Sequence, residues 1–416
     1  MRILILFLLL TSCSPRLYNQ KPAFYSYIIG YTKGNRITTE HASKVYATPA
    51  SCQKVITALV ALKELGPDYR YKTRLFSSNN DIVIVFSGDP TLTTNDLALL
   101  LAPLENKQIK GKIILDASVF QASPYSPHMM IDDIGKKYAP PVWSINIDHN
   151  LINFKVVPST VFNPLIVSDA KYKIISNITS SDKASSVKSS WNQGRFYLKG
   201  NININEVHKF QVAPEQIQPF IIQKIQKLLD GLGIKGKIQI STKTFNYGKL
   251  INQIDSEPLV EILKPALKQS DNLVFDSLYL TMLRINQWQD GDSAIKKLIK
   301  KHYNLDFKDS TILDGSGLSR YNQVQPYQLF ELLKRGYQVP DFIDLLPYPG
   351  EEQSTLARRL NLPADLKAKT GNMKGLSCLC GYSKSKTFVI MTNSFAPPSN
   401  DMFGVIDNFL SLRLNN

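Results

Sequence analysis

Apolar and polar positions divide this chain into three stretches of different rhythm. The run AFYSYIIGY at residues 23–31 is aromatic-rich and reads as a strand, closed by a turn at Lys33-Gly34-Asn35. Residues 51–65 then place Cys52, Val55, Ile56 and Leu59 at the spacing of one buried helix face. Gly66 and Pro67 follow as stop signals. From about residue 71 to 244 the rhythm shortens to strand-like runs: DIVIVFSG, KGKIILDA, SINIDHNLINFKVV and GRFYLKGNININ. Only residues 95–104 and 214–229 are helical in pattern there, and the polar run SSDKASSVKSS at 180–190 reads as an exposed loop. Helical spacing returns at 259–268 and 273–287. Three strand-like segments, DLKAKTGN, GLSCLCGYS and TFVIMTNS, precede a last helix at about 402–412. Sequence-distant ends thus share a helix-plus-strand character and flank a β-rich insert, which predicts a discontinuous α/β (α+β) domain carrying an inserted module.

The first residues change the picture. Met1-Arg2 precedes eight apolar residues, 3–10, and then Thr11-Ser12-Cys13. Eight is far short of the roughly 20 needed to span a bilayer. A basic start, a short apolar core and small residues make a secretory signal over 1–12. Leu10-Thr11-Ser12-Cys13 also resembles a bacterial lipobox, which would make Cys13 the first mature residue and a lipidation site; a plain signal peptide with a chance cysteine is the alternative. A multiply acylated cysteine holds a protein on a membrane where a single chain does not. Ser14 in the next position fits sorting to an outer membrane.

Charge adds less. Lys and Arg number 49 against 34 Asp and Glu, a net +15 spread along 416 residues. Such a surface favours anionic partners, among them nucleic acid, anionic lipid or an acidic wall polymer. No basic stripe with interleaved aromatics and no zinc-knuckle spacing occurs, which disfavours nucleic acid. Beyond Cys13 the cysteines are Cys52, Cys378 and Cys380, an odd number that argues against a disulfide framework. Cys378 and Cys380 lie two apart in a strand-like run and face one side of a sheet, as small buried hydrophobes with no metal site around them.

Candidate chemistry begins at TPASCQK. Ser51 and Lys54, three apart, share one helix face, and a lysine with a lowered pKa can serve a serine as base. Alone the spacing is weak, since Ser-x-x-Lys recurs from Ser168, Ser180, Ser185, Ser293 and Ser383. What distinguishes Ser51 is company: Ser270-Asp271-Asn272 falls between two predicted helices, and Lys369-Thr370-Gly371 lies in a strand-like segment. The three motifs occur together, in this order, in serine enzymes that react with penicillin.

On these motifs, with GDPTL at 88–92 and DGSGLSRYN at 314–322, the chain resembles the class C low-molecular-mass penicillin-binding proteins. These are D-alanyl-D-alanine carboxypeptidases and endopeptidases of the penicillin-binding protein four type. The likeness runs from about residue 23 to 412. Roughly 216 positions separate Lys54 from Ser270, which suits that family's large inserted domains and not a class A β-lactamase. No Glu-x-x-x-Asn deacylation loop lies between Asn272 and Lys369.

The resemblance implies a penicilloyl-serine transpeptidase/β-lactamase-like fold, with helices flanking an antiparallel sheet. With the strand rhythm above, the catalytic domain is expected at 23–71 and 250–416, a β-rich insert at 72–87 and 149–249, and a second nested insert at 88–148. The resemblance also implies Ser51 as nucleophile, Lys54 as base and Ser270 as proton relay, with oxyanion donors at the backbone N–H groups of Ser51 and Asn372. Asn272, Lys369, Thr370, Gly371 and Asn372 would hold substrate, with Arg320 and Asp148 at the charged end of a diaminopimelate side chain. Peptidoglycan peptides and β-lactams are the implied partners, no metal or cofactor is required, and the place of action is the periplasm, through a lipid anchor. A non-catalytic wall-binding homologue and a β-lactamase are the rival readings. A histidine-based hydrolase lacks its G-x-S-x-G motif, and His41, His128, His149, His208 and His302 share no motif.

Overall fold

A computed structural model describes residues 24–160, 163–192, 194–244, 247–393 and 400–414. The signal segment 1–12 and Cys13 therefore lie outside the described residues. The two ends of the chain meet in one five-stranded antiparallel sheet, ordered Lys367–Met373, Leu376–Ser383, Lys386–Asn393, Phe24–Tyr31, Ile37–His41. Strand alternation sorts its side chains to two faces. Ile28, Cys378, Cys380, Val389 and Met391 pack against the helices Gln53–Glu64 and Pro326–Gly336. Ile29, Leu379, Phe388 and Ile390 pack against the terminal helix Asn400–Leu414 through Ile406 and Leu410. Helix, sheet and helix form three layers, and the fold class is mixed α and β.

A second, mixed sheet is ordered Lys235–Ser241, Gln108–Asp116, Asp81–Val85, Lys72–Ser78, Lys249–Asp255. Its first three strands run parallel and its last three antiparallel. The helices Thr94–Leu101 and Ile217–Gly231 cover it with Leu97, Leu100, Phe220 and Ile225. Two three-stranded sheets complete the inserted region, one around Arg195–Asn203 and one around Ile152–Val157, joined through the stacked rings of Phe154 and Phe196 at 4.8 Å.

Several expectations need correction. The sheets do not respect borders at 88 and 250: Gln108–Asp116 pairs with Asp81–Val85, and Lys249–Asp255 pairs with Lys72–Ser78. Parallel pairing between sequence-distant strands leaves no local signal. The run at 180–190 is mostly strand, since Lys173–Ser181 and Ser186–Asn192 both pair with Arg195–Asn203. Its polar residues reflect a strand with one exposed face and not a loop, while Val187 and Trp191 on the other face are half-buried against the core. Conversely, SINI at 144–147 is not a strand. Its Ile145 and Ile147 plug the core while Ser144 and Asn146 bond to loop carbonyls, so burial mimics strand alternation. The helices Gly291–Tyr303 and Pro326–Gly336 were not anticipated as such. Ser51 lies in a single 3-10 turn, Ala50–Cys52, leading into the helix Gln53–Glu64.

Candidate active site

The turn holding Ser51 is forced into shape by close packing. Ala50 has φ 45°, a left-handed value that costs a residue with a Cβ about 1 kcal/mol or more. Two glycines press on it. A Cβ at Gly317 would stand 1.9 Å from the Ala50 carbonyl oxygen, and one at Gly371 2.8 Å from that of Pro49. Only glycine permits such approach, so the loop after Asp314 and the strand Lys367–Met373 both reach the nucleophile turn. Thr57, one turn beyond Lys54, donates to the Gly315 carbonyl at 2.7 Å and ties the same loop to the nucleophile helix.

Lys54 is fully buried, and its Nζ has three oxygen neighbours: Ser51 Oγ at 2.9 Å, Asn272 Oδ1 at 2.5 Å and the Ser316 carbonyl at 2.6 Å. Two of these, an amide oxygen and a carbonyl, can only accept. Burial lowers the Lys54 pKa to about 7, helped by the nearby charge of Lys369 and opposed by Asp276, Asp314 and Asp271. A neutral amine then spends its two N–H groups on Asn272 and Ser316, and its lone pair faces the Ser51 hydroxyl. That is the arrangement of a general base on a nucleophile.

Lys369 is buried as well and donates to Ser270 Oγ and to the Thr370 carbonyl, each at 2.9 Å. Burial lowers its pKa to about 8. Ser270 is the left-handed C-cap of the helix Leu259–Gln269, with φ 62°, which turns its hydroxyl out of the helix. Asp271 caps the next helix, Asn272–Ile285, through the Val274 N–H. Thus the Ser-Asp-Asn triplet is a helix-to-helix corner, and each residue has a separate task. The strand Lys367–Met373 lies at the sheet edge, with Thr370 half-buried and Asn372 exposed.

Cys52 points the other way. It is wholly buried, donates to the Lys369 carbonyl at 3.3 Å and meets the thiols of Cys378 and Cys380. All three thiols are free.

Two expected site residues stand apart from this cluster. Arg320 is partly exposed and its Nη1 donates to the Lys374 carbonyl, just past the edge strand. The Asp148 carboxylate is already held by the Thr94 N–H at 2.9 Å, the Thr94 hydroxyl at 2.6 Å and Lys224 Nζ at 2.7 Å. Despite burial, Lys224 and Thr94 keep its carboxyl below the usual carboxylate range. Asp148 is occupied as a helix cap and ion pair, so a substrate ammonium meets no free carboxylate there. Its neighbour His149 does reach the catalytic corner, with Nε2 3.1 Å from Asp271.

Sequence reading missed four contributors. His149 and the Tyr138 carbonyl, which accepts from Asn272 Nδ2 at 2.6 Å, bring the inserted region to the site. Ser316 supplies a backbone oxygen, which no side-chain motif announces. Asp276, one turn after Asn272, accepts from the Gly315 and Ser316 N–H groups at 3.0 and 2.8 Å. Its i+4 spacing from Asn272 was the available signal. Burial and the neighbouring Asp314 raise its pKa to about 7. Among the described residues no cluster of side chains could hold a metal ion.

A family model for D-Ala-D-Ala carboxypeptidase 3 (S13) matches residues 15–405, nearly the whole chain. This chain belongs to the S13 family. The D-alanyl-D-alanine carboxypeptidase DacB of Haemophilus influenzae is 27% identical to it over 393 residues, covering 84% of this chain and 80% of the relative. A D-alanyl-D-alanine carboxypeptidase of an Actinomadura species is 22% identical over 402 residues, covering 84% and 74%. The crystal structure of penicillin binding protein 4 from H. influenzae superposes with a TM-score of 0.83 at 24% identity, covering 96% of this chain and 98% of that one. A predatory endopeptidase of Bdellovibrio bacteriovorus shares the fold more loosely, with a TM-score of 0.54 at 17% identity over 95% of this chain and 93% of that one.

Proposed function

We propose that this S13 chain is a penicillin-binding serine D-alanyl-D-alanine carboxypeptidase and endopeptidase. It hydrolyses peptidoglycan stem peptides and crosslinks through an acyl-enzyme on Ser51. The observation that carries this reading is the surround of Lys54 Nζ: two obligate acceptors and the Ser51 hydroxyl. Neutral Lys54 takes the Ser51 proton as Oγ attacks the carbonyl before the terminal D-residue. The Ser51 and Asn372 N–H groups stabilise the oxyanion. Ser270 relays that proton from Lys54 to the leaving amine, while Lys369, 2.9 Å from the Ser270 hydroxyl, keeps its charge. Lys369 and Thr370 bind the terminal carboxylate, and Asn272 the substrate amide. An edge strand with Gly371 in it accepts the peptide as an added strand. Water then hydrolyses the ester.

Arg320 beside Lys374 is the candidate for the carboxylate of a diaminopimelate side chain, and Asp148 a positioning residue for His149. The catalytic domain comprises the five-stranded sheet and its helices, and the β-rich remainder is inserted into it. We place the enzyme in the periplasm after removal of residues 1–12, tethered through lipidated Cys13. A β-lactam complex is among the solved structures of the H. influenzae relative, which supports penicillin as the probe. Labelling with a fluorescent penicillin is expected for the wild type and lost in Ser51→Ala. A folded wild-type protein that neither labels nor releases D-alanine from a pentapeptide would sink the reading.

A further inference from the structure

One large concavity takes no part in the chemistry above. Between the catalytic helices and the mixed sheet lies a groove of about 910 Å³. The helix Asn272–Ile285 joins it to the active site. Asn272, Asp276, Leu280 and Arg284 recur every fourth residue and so form one ridge, which winds about 120° around that helix. Asn272 bonds to Lys54, whereas Leu280 and Arg284 line the groove. At 1.5 Å per residue, Arg284 stands about 18 Å from Asn272 along the axis.

The lining is one-sided in charge. Arg70, Lys72, Arg74 and Arg284 face the groove, and no Asp or Glu does. Lys72 leans toward Asp255 at 3.9 Å. The three arginines are exposed, and among the described residues none of them forms an ion pair. Arg70 Nη1 donates to the Ser256 carbonyl at 2.6 Å, Arg74 lies over the Phe76 ring, and the charge of Arg284 acts on the Tyr69 hydroxyl. Aromatic side chains, among them Tyr69, Tyr247 and Trp288, interleave with these cations. Guanidinium groups hold carboxylates, and aromatic faces hold the apolar faces of sugar rings. A concave cleft between a helix and a sheet does not fit the plane of a bilayer.

We propose that this groove binds a second segment of the wall polymer, an anionic saccharide–peptide strand, while another stem of the same polymer occupies the Ser51 site. The proposal rests on the peptidoglycan reading above. An extended peptide covers about 3.4 Å per residue, so five or six residues, or a stem with its sugar, bridge the two sites. Holding the polymer at the groove makes its approach to Ser51 intramolecular and raises the effective concentration there. Soluble fragments too short to bridge gain nothing.

The test is Arg70→Gln/Arg74→Gln/Arg284→Gln, compared with wild type on two substrates. On purified crosslinked sacculi the variant is expected to lose cosedimentation and to release product about tenfold more slowly. Penicillin labelling and hydrolysis of a soluble pentapeptide are expected to stay within about twofold. Should the triple variant melt early, Arg74→Glu/Arg284→Glu serves with the same expectations. Equal cosedimentation and equal sacculus digestion by a folded variant would overturn the proposal. So would an arginine-dependent loss of binding to anionic vesicles or DNA with sacculus binding intact. Sacculus binding by Ser51→Ala that still needs the arginines supports the groove whether or not the wild type hydrolyses peptide, which separates this proposal from the enzymatic one.

Discussion

Two sets of cations sit at the two ends of one helix, and their surroundings give them opposite uses. At the Asn272 end Lys54 and Lys369 are fully buried and depressed to about 7 and about 8. At the Arg284 end the cations are exposed and, apart from Lys72, are arginines. Burial makes the charged form of a lysine costly, so the residue becomes a base near neutral pH. Arginine does not deprotonate in proteins, so exposure leaves it a permanent anion binder. One side chain moves protons and the other holds charge.

The contrast breaks most completely at Lys54. Lys54→Ala is expected to slow penicillin acylation about a thousandfold, within the range for loss of a general base. Lys54→Arg is expected to be no better, because a guanidinium has no lone pair to offer; stopped-flow labelling measures both. Gly371→Ala sets a Cβ 2.8 Å from the Pro49 carbonyl oxygen and 3.1 Å from the Cys52 nitrogen. It should cost about 1–3 kcal/mol by thermal melting and displace the edge strand from Ser51, slowing acylation as well.

Cys52→Ala sharpens the comparison from the other side, since this thiol is as buried as Lys54 yet faces away from it. Stability should fall by about 1 kcal/mol while labelling persists. A folded Cys52→Ala protein that cannot be acylated would overturn the assignment of Ser51. The smallest effect belongs to Asp276, whose charge works against the depression of Lys54. Asp276→Asn keeps an acceptor for the Gly315 and Ser316 N–H groups but removes that charge. The acidic limb of the acylation profile is expected to move to lower pH by less than about one unit.

Much of this was legible in the chain, for identifiable reasons. Ser51, Lys54, Ser270, Asn272 and Lys369 came from three motifs; the structure bonds Ser51 and Asn272 to Lys54, and Ser270 to Lys369. The sheet that unites residues 24–31 with 367–393 was foreshadowed by matching strand patterns at the two ends. What stayed hidden was long-range or backbone-borne. The Ser316 and Tyr138 carbonyls have no sequence signature, because every residue carries a carbonyl. Parallel pairing of Asp81–Val85 with Gln108–Asp116 leaves no local trace, so borders drawn from strand rhythm cut through a sheet. Asp148 shows the converse: an apt residue type in an apt motif, whose carboxylate the helix Thr94–Leu101 and Lys224 had already engaged.

The central claim is that burial makes Lys54 a base, and the pH dependence of Ser51 acylation tests it most directly. Lys54 is neutral above about 7 and Lys369 charged below about 8. The rate should therefore climb as pH rises through 7, peak in the narrow window between, and fall as Lys369 loses the charge that holds the carboxylate. A flat profile from about pH 5.5 to 9 in a protein that stays folded would contradict the account.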